Sequence, residues 1–180
     1  MTAQPDVGDV VVRDARTSDV AAIRTLVDTY AADRILLSKA TVTLFEDVQE
    51  FFVAERAGQV VGCGALHVLW EDLGEVRTLA VDPGVRGQGI GHRLLERLLD
   101  QARHLGIARV FTLTFEVDFF ARHGFNEIEG TPVGHDVFEQ LLQSYDEGVA
   151  EFLGLERVKP NTLGNARMLL VLDPPPPPSS

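Results

Sequence analysis

A single cysteine, Cys63, is the chain's whole complement of thiols, so no disulfide forms within it, which suits a reducing compartment. No window approaches about 18 uninterrupted apolar residues, the length a membrane-spanning helix needs. The opening residues, MTAQPDVGDVVVRDAR, lack the basic start and apolar run of a secretory signal. The expectation is a cytoplasmic protein. Basic residues are the minority charge: 16 Lys and Arg stand against 27 Asp and Glu, a net −11. A field of that sign repels nucleic acid and anionic membranes, so neither is expected as a partner. Taken alone it favours a cationic substrate, although a few arginines or lysines in a cleft reverse it locally. There is no internal repeat. What is present is 180 residues with a hydrophobic fraction of 45%, enough for one domain with a core that needs no staples.

The ends are set apart by composition. Residues 1–9 read as a flexible N-terminus and 173–180 as a proline-rich disordered tail, PPPPPSS at its close. Consecutive prolines donate no backbone hydrogen bonds and favour polyproline II; a docking peptide for an SH3-like module is the sharper alternative. Between the ends, from 10 to 172, strands and helices alternate. Val10 to Arg13 reads as a strand, and Thr17-Ser18-Asp19 as a helix start before Val20, Ile23, Val27 and Tyr30 at helical spacing. A short helix is expected in Val42 to Gln49. Phe51 to Arg56 and Val60 to Leu69 read as strands joined by a hairpin at Ala57-Gly58-Gln59, and Val76 to Val81 as another. A long helix is expected from Gly89 to Leu105, then a strand at Arg109 to Thr114, a short helix at Phe119 to His123, a helix over Asp136 to Tyr145 and a last strand at Ala166 to Leu172. Such a mixture makes an α/β or α+β domain.

The chemistry concentrates in Glu75 to Leu99, EVRTLAVDPGVRGQGIGHRLLERLL. An apolar strand ends at Val81, Asp82-Pro83-Gly84 turns the chain, and Arg86-Gly87-Gln88-Gly89-Ile90-Gly91 leads directly into a helix. Glycines let backbone approach a ligand closely, and a helix start carries unpaired N–H groups and partial positive charge. The combination cradles a pyrophosphate. The spacing of Gly87, Gly89 and Gly91 differs from the G-x-G-x-x-G of dinucleotide binders, and no Gly-Lys-Ser/Thr follows as in a Walker loop.

The string Arg86-x-x-Gly89-x-Gly91 after a strand reading LAV resembles the acetyl-CoA loop of the GNAT acetyltransferases. Phe119 to Phe125, FFARHGF, resembles that family's late F-Y-x-x-x-G-F helix ending, and the order of elements agrees over residues 10–172. The resemblance implies a mixed central sheet flanked by helices, with a splayed acetyl-CoA cleft. Leu79, Ala80 and Val81 would offer main-chain groups to pantetheine, and Arg86, Gly87, Gln88, Gly89, Ile90 and Gly91 would hold the pyrophosphate, with Phe120 against the cofactor. It further implies direct transfer, a strand N–H polarising the thioester carbonyl, no metal, and a homodimer. Cys63 then need not be a nucleophile and reads as a small strand residue.

An attacking amine must shed a proton, and Glu75, at the start of the cofactor strand where the family often has its general base, is the candidate acceptor; the plainer reading is an exposed strand-end carboxylate. Arg77, two residues on, shares its face. Phe120 stands where many members carry a tyrosine, and a phenyl ring donates no proton, so the acid stays unassigned among a water, Thr114, His123 and Tyr145. His67 and His92 read as structural or solvent-facing.

A narrower resemblance bears on the acceptor. Arg34 to Lys39, Phe51 to Glu55, Cys63 to His67, Glu75 to Val81, Val110 to Thr114 and Pro160 to Arg167 are similar to the acetyltransferase module of the N-acetylglutamate synthases of arginine biosynthesis, and the chain resembles the short form, which lacks the kinase-like domain of longer synthases. This implies acetylation of the α-amine of glutamate, or of glutamine, with Lys39, Arg77 and Arg167 as candidate partners of its carboxylates. Lys39 stands where arginine is usual, and Ala166 where some synthases have a serine proposed as the acid. The rival readings are a GNAT enzyme acting on a protein N-terminus, a polyamine or an aminoglycoside, and a non-catalytic acetyl-CoA-binding regulatory domain.

Overall fold

The computed structural model describes residues 10–31, 39–158 and 164–173. Among these residues seven strands form one mixed sheet in the order β1-β2-β3-β4-β5-β7-β6: β1 Val10–Asp14, β2 Phe51–Arg56, β3 Gln59–Trp70, β4 Leu73–Val81, β5 Arg109–Thr114, β6 Asn126–Glu127 and β7 Ala166–Val171. Among the described residues six α-helices accompany them: α1 Val20–Ala31, α2 Thr41–Glu46, α3 Ile90–His104, α4 Val117–Arg122, α5 His135–Leu141 and α6 Glu147–Leu153. The chain divides into two compact units, Met1–Leu66 with Val76–Gln101, and His67–Glu75 with Ala102–Ser180.

In the first unit, β1, β2 and β3 run antiparallel, with Val10 opposite Arg56 and Phe51 opposite Ala65. The hairpin falls where the sequence placed it. Ala57 and Gly58 both take positive φ, 49° and 76°, the handedness that matches the twist of the flanking strands. Helix α1 buries Val20, Ile23, Leu26, Val27 and Tyr30 against Phe51, Val53, Cys63 and Ala65, the stripe its periodicity announces. Helix α3 lies directly on bare backbone: a Cβ at Gly62 or Gly64 would meet Leu94 or Leu98 at 2.9 Å. The helix begins at Ile90, one residue later than expected.

Asp19 does more than start a helix. Residues Thr17–Asp19 form a 3-10 turn, and the Asp19 carboxylate accepts two hydrogen bonds from Arg13, at 2.7 and 3.0 Å, and one from the Arg16 main chain at 2.7 Å. Arg13 also donates to Glu55 at 2.7 Å, so the fork ties β1, the turn and β2. The bond from Arg13 holds the Asp19 carboxyl below its ordinary value. Since the folded value lies below the unfolded one, this stabilisation is whole above the ordinary carboxylate range and is lost as pH falls through the folded-state value. Asp19→Asn should therefore lower stability by about 2 kcal/mol near pH 7, about 4–8 °C in Tm, with the gap to the parent narrowing in acid. Calorimetry at pH 7 and pH 3 checks this; equal melting at pH 7 would remove the network from the stability account.

In the second unit, β4 pairs with β5 in parallel, Leu73↔Arg109 to Glu75↔Phe111, and β5 continues against β7 as far as Thr114↔Ala166. Strand β7 lies between β5 and β6. Its core joins Leu69, Leu73, Phe111, Leu141, Val149, Phe152 and Leu153, with Phe111 and Phe152 edge to face at 4.9 Å. The expected helix over Asp136 to Tyr145 is corrected: α5 ends at Leu141, and α6 follows as a separate helix. Asp146 accepts from Val149 N–H at 2.9 Å, capping α6.

Candidate active site

The phosphate-type loop is built as its residues require. Asp82 accepts from Gly84 N–H at 2.7 Å, Pro83–Val85 make one 3-10 turn, and Gly87 and Gly89 both sit at φ +77°. L side chains rarely adopt that conformation. A Cβ built on either glycine meets nothing within 4 Å, so backbone faces open space immediately before the fifteen residues of α3. The first intrahelical bond runs from Arg93 N–H to Gly89 O at 3.1 Å, which leaves the first-turn N–H groups without helical acceptors. Open backbone, a helix start and exposed Arg86 suit a pyrophosphate, and Ile90 anchors the turn by being buried.

Beside the strand residues proposed to offer main-chain groups, the Cys63 thiol donates to Thr78 O at 3.5 Å, and Ala80 is buried. Asp82 N–H donates to Val61 O on β3 at 2.8 Å, so the N–H of Val81 before it points away from β3 by strand alternation. Thr78 holds φ +55°, an outlier for a β-branched residue, three residues after Glu75. Leu79 follows, half-buried. Cys63 itself is fully buried, and burial pushes its thiol up to about 12. It is a packed strand residue, as expected.

Glu75 is not the exposed strand-end carboxylate of the plainer reading. It is 4% exposed, because β4 begins at Leu73, three residues earlier than the Val76 start expected from the sequence, and encloses it. Its charge acts on Arg167, which burial pushes down and Glu75 pushes back up. Arg167 donates from Nε to Gly130 O at 2.8 Å, from Nη1 to Glu151 O at 3.4 Å and from Nη2 to Phe152 O, with its guanidinium 4.9 Å from the Phe111 ring centroid. Each of its three nitrogens thus already serves a main-chain carbonyl. In the first unit, Arg77 is 8% exposed on β4, and Lys39 Nζ lies 3.5 Å from Asp47. The Arg34 to Ser38 and Pro160 to Leu163 segments of the narrower resemblance, like residues 1–9 and 174–180, lie outside the described residues.

Phe120 is buried, its ring edge-on to Phe119 and Phe125 at 5.2 and 5.1 Å. Of the acid candidates, Thr114 is buried and accepts from Glu116 N–H at 2.8 Å, His123 Nδ1 is 2.8 Å from Phe119 O, and Tyr145 is fully exposed. His92 is exposed and His67 half-buried. Sequence reasoning missed two residues at the loop. Tyr30, read as one more core position of α1, bonds Arg86, and Arg56, at the end of β2, donates to Gln88 Oε1 at 2.9 Å. Nothing local in the sequence signals either pairing.

Strand, glycine loop, helix and sheet order are those that the motif resemblance calls for. The chain belongs to the GNAT acetyltransferase family, whose model matches residues 21–125. It is 65% identical, over 96% of its length and all of the relative's, to an amino-acid acetyltransferase of Mycobacterium tuberculosis. A solved M. tuberculosis protein in complex with CoA and NLQ superposes with a TM-score of 0.89 at 67% identity, covering 91% of this chain and 99% of that one. The N-acetylglutamate synthase of Neisseria gonorrhoeae, solved with CoA and N-acetyl-glutamate, gives 0.73 at 26% identity over 91% of this chain and 35% of the synthase. Family and fold are as the sequence motifs implied.

Proposed function

We propose that the protein acetylates the α-amine of an amino acid, L-glutamate or L-glutamine, using acetyl-CoA, and so serves the first step of arginine biosynthesis. The full-length similarity to the mycobacterial amino-acid acetyltransferase is the observation that carries this reading. The neisserial synthase bound to N-acetyl-glutamate supports the choice of acceptor. Acetyl-CoA supplies an activated acetyl group as a thioester. The loop backbone from Arg86 to Gly91 holds its pyrophosphate, Leu79 and Val81 offer main-chain groups to its pantetheine, and Val81 N–H is turned to polarise a carbonyl. Glu75, buried on β4, takes the proton of the incoming ammonium, directly or through a water. Arg77 and Lys39 supply cations for the acceptor's carboxylates, while the three nitrogens of Arg167 serve main-chain carbonyls. The reading extends to a cytoplasmic homodimer with no metal requirement.

An acceptor screen with acetyl-CoA, reading released thiol, tests it. Glutamate or glutamine should exceed every polyamine and aminoglycoside in kcat/KM, and the α-carboxamide of the preferred amino acid should be at least about tenfold poorer, the loss of one charged hydrogen bond. Preference for spermine or an aminoglycoside would overturn the acceptor while leaving the fold family intact.

A further inference from the structure

We propose that Tyr30 is a positioning residue of the phosphate loop, holding Arg86 and the end of β4 in the arrangement that receives the phosphate-bearing end of acetyl-CoA; this rests on the cofactor reading above. Tyr30 lies in the last turn of α1 and is 7% exposed. Its hydroxyl uses both halves of its bonding capacity. It donates to the carbonyl of Val81, the last residue of β4, and accepts from Arg86 Nε at 3.0 Å. The Arg86 guanidinium also covers the ring, with Cζ 5.0 Å from its centroid. Strand end and first loop cation thus meet on one oxygen that belongs to neither.

The arrangement addresses a specific difficulty. Arg86 is exposed and long, and an arginine free to sample its rotamers loses about 2 kcal/mol of entropy when an anion immobilises it. A bond to Nε uses the donor nearest the chain and leaves the terminal N–H groups for an anion. Fixing the side chain beforehand lowers the cost of binding. Gln88 is held in the same manner from outside the loop, by Arg56 at 2.9 Å. Core packing alone explains the Tyr30 ring; a phenylalanine would pack as well. It does not explain a hydroxyl shared between Val81 and Arg86.

The test separates the phosphates from the thioester. Tyr30→Phe keeps the ring and removes both hydrogen bonds. With acetyl-CoA, KM should rise about tenfold while kcat at saturation stays within about twofold. With S-acetylpantetheine, the same thioester without phosphates, kcat/KM should match the parent. Arg86→Lys keeps the charge and loses the Nε donor, so it should reproduce the effect, and the double variant should add little to either single change. An equal loss with both donors, or an unchanged KM for acetyl-CoA in both single variants, overturns the proposal. Calorimetry of the parent with acetyl-CoA comes first: no binding there removes the cofactor reading, and this inference with it, whereas parental binding with insensitive variants removes the inference alone.

Discussion

Replacing Glu75 with glutamine should lower kcat at neutral pH by about 10²–10⁴-fold, the range a positioned general base contributes, and leave acetyl-CoA affinity within about twofold. The substitution is nearly isosteric, so the packing around a residue only 4% exposed survives. What changes is that an amide cannot accept a proton from an ammonium. The change has a structural component, because Glu75 offsets the burial of the Arg167 guanidinium. A modest fall in Tm is therefore expected, and rates are to be compared well below it. Titration calorimetry and steady-state kinetics on one preparation decide the matter: near-normal turnover would clear Glu75 of the role.

Gly89→Glu should abolish measurable acetyl-CoA binding, a loss of more than about a hundredfold. Two effects act in one direction. The residue sits at φ +77°, where an L side chain costs roughly 1–2 kcal/mol, so the loop shifts or strains. The new carboxylate also stands where the helix start and loop N–H groups present positive potential, and it competes with a pyrophosphate for them while repelling it. Because a Cβ there meets nothing within 4 Å, the side chain enters the ligand's space without disturbing the core, and the strain is small against the 5–15 kcal/mol typical of a folded domain. The variant should fold, with its circular dichroism unchanged, and titrate flat. Affinity equal to the parent's would remove the loop from cofactor binding.

The features legible in the sequence are those set by neighbours along the chain. The turn at Ala57-Gly58, the apolar stripe of α1 and the run from Val81 through Gly89 into α3 each depend on a few adjacent residues, and each lies within a residue or two of its expected place. Strand β4 was shortened because Gly74 has little strand propensity; its true start at Leu73 makes Glu75 a buried residue. Helix α6 went unread because Gly148 interrupts a short pattern, although Asp146 and Gly154, at φ +68°, mark both its ends. The insertion of β7 between β5 and β6 follows no local signal. Side-chain type carried the candidate site only part of the way. Arg167 was legible as a cation, but its partners are carbonyls at the end of α6 and at Gly130, acceptors that exist only once a helix has ended nearby. Likewise, Tyr30 and Arg86 are separated by 56 positions.

The burial of Cys63 has a practical consequence. With its thiol fully buried and pushed up by that burial, little of it is thiolate at neutral pH, and thiolate is the form that reacts. In the folded enzyme the protein's one sulfhydryl is chemically silent toward disulfide reagents. Free thiol appearing in a turnover assay then comes from released coenzyme alone, without a cysteine-free variant to subtract, and one equivalent per chain emerging over time would report unfolding, a built-in gauge of enzyme integrity during the measurement.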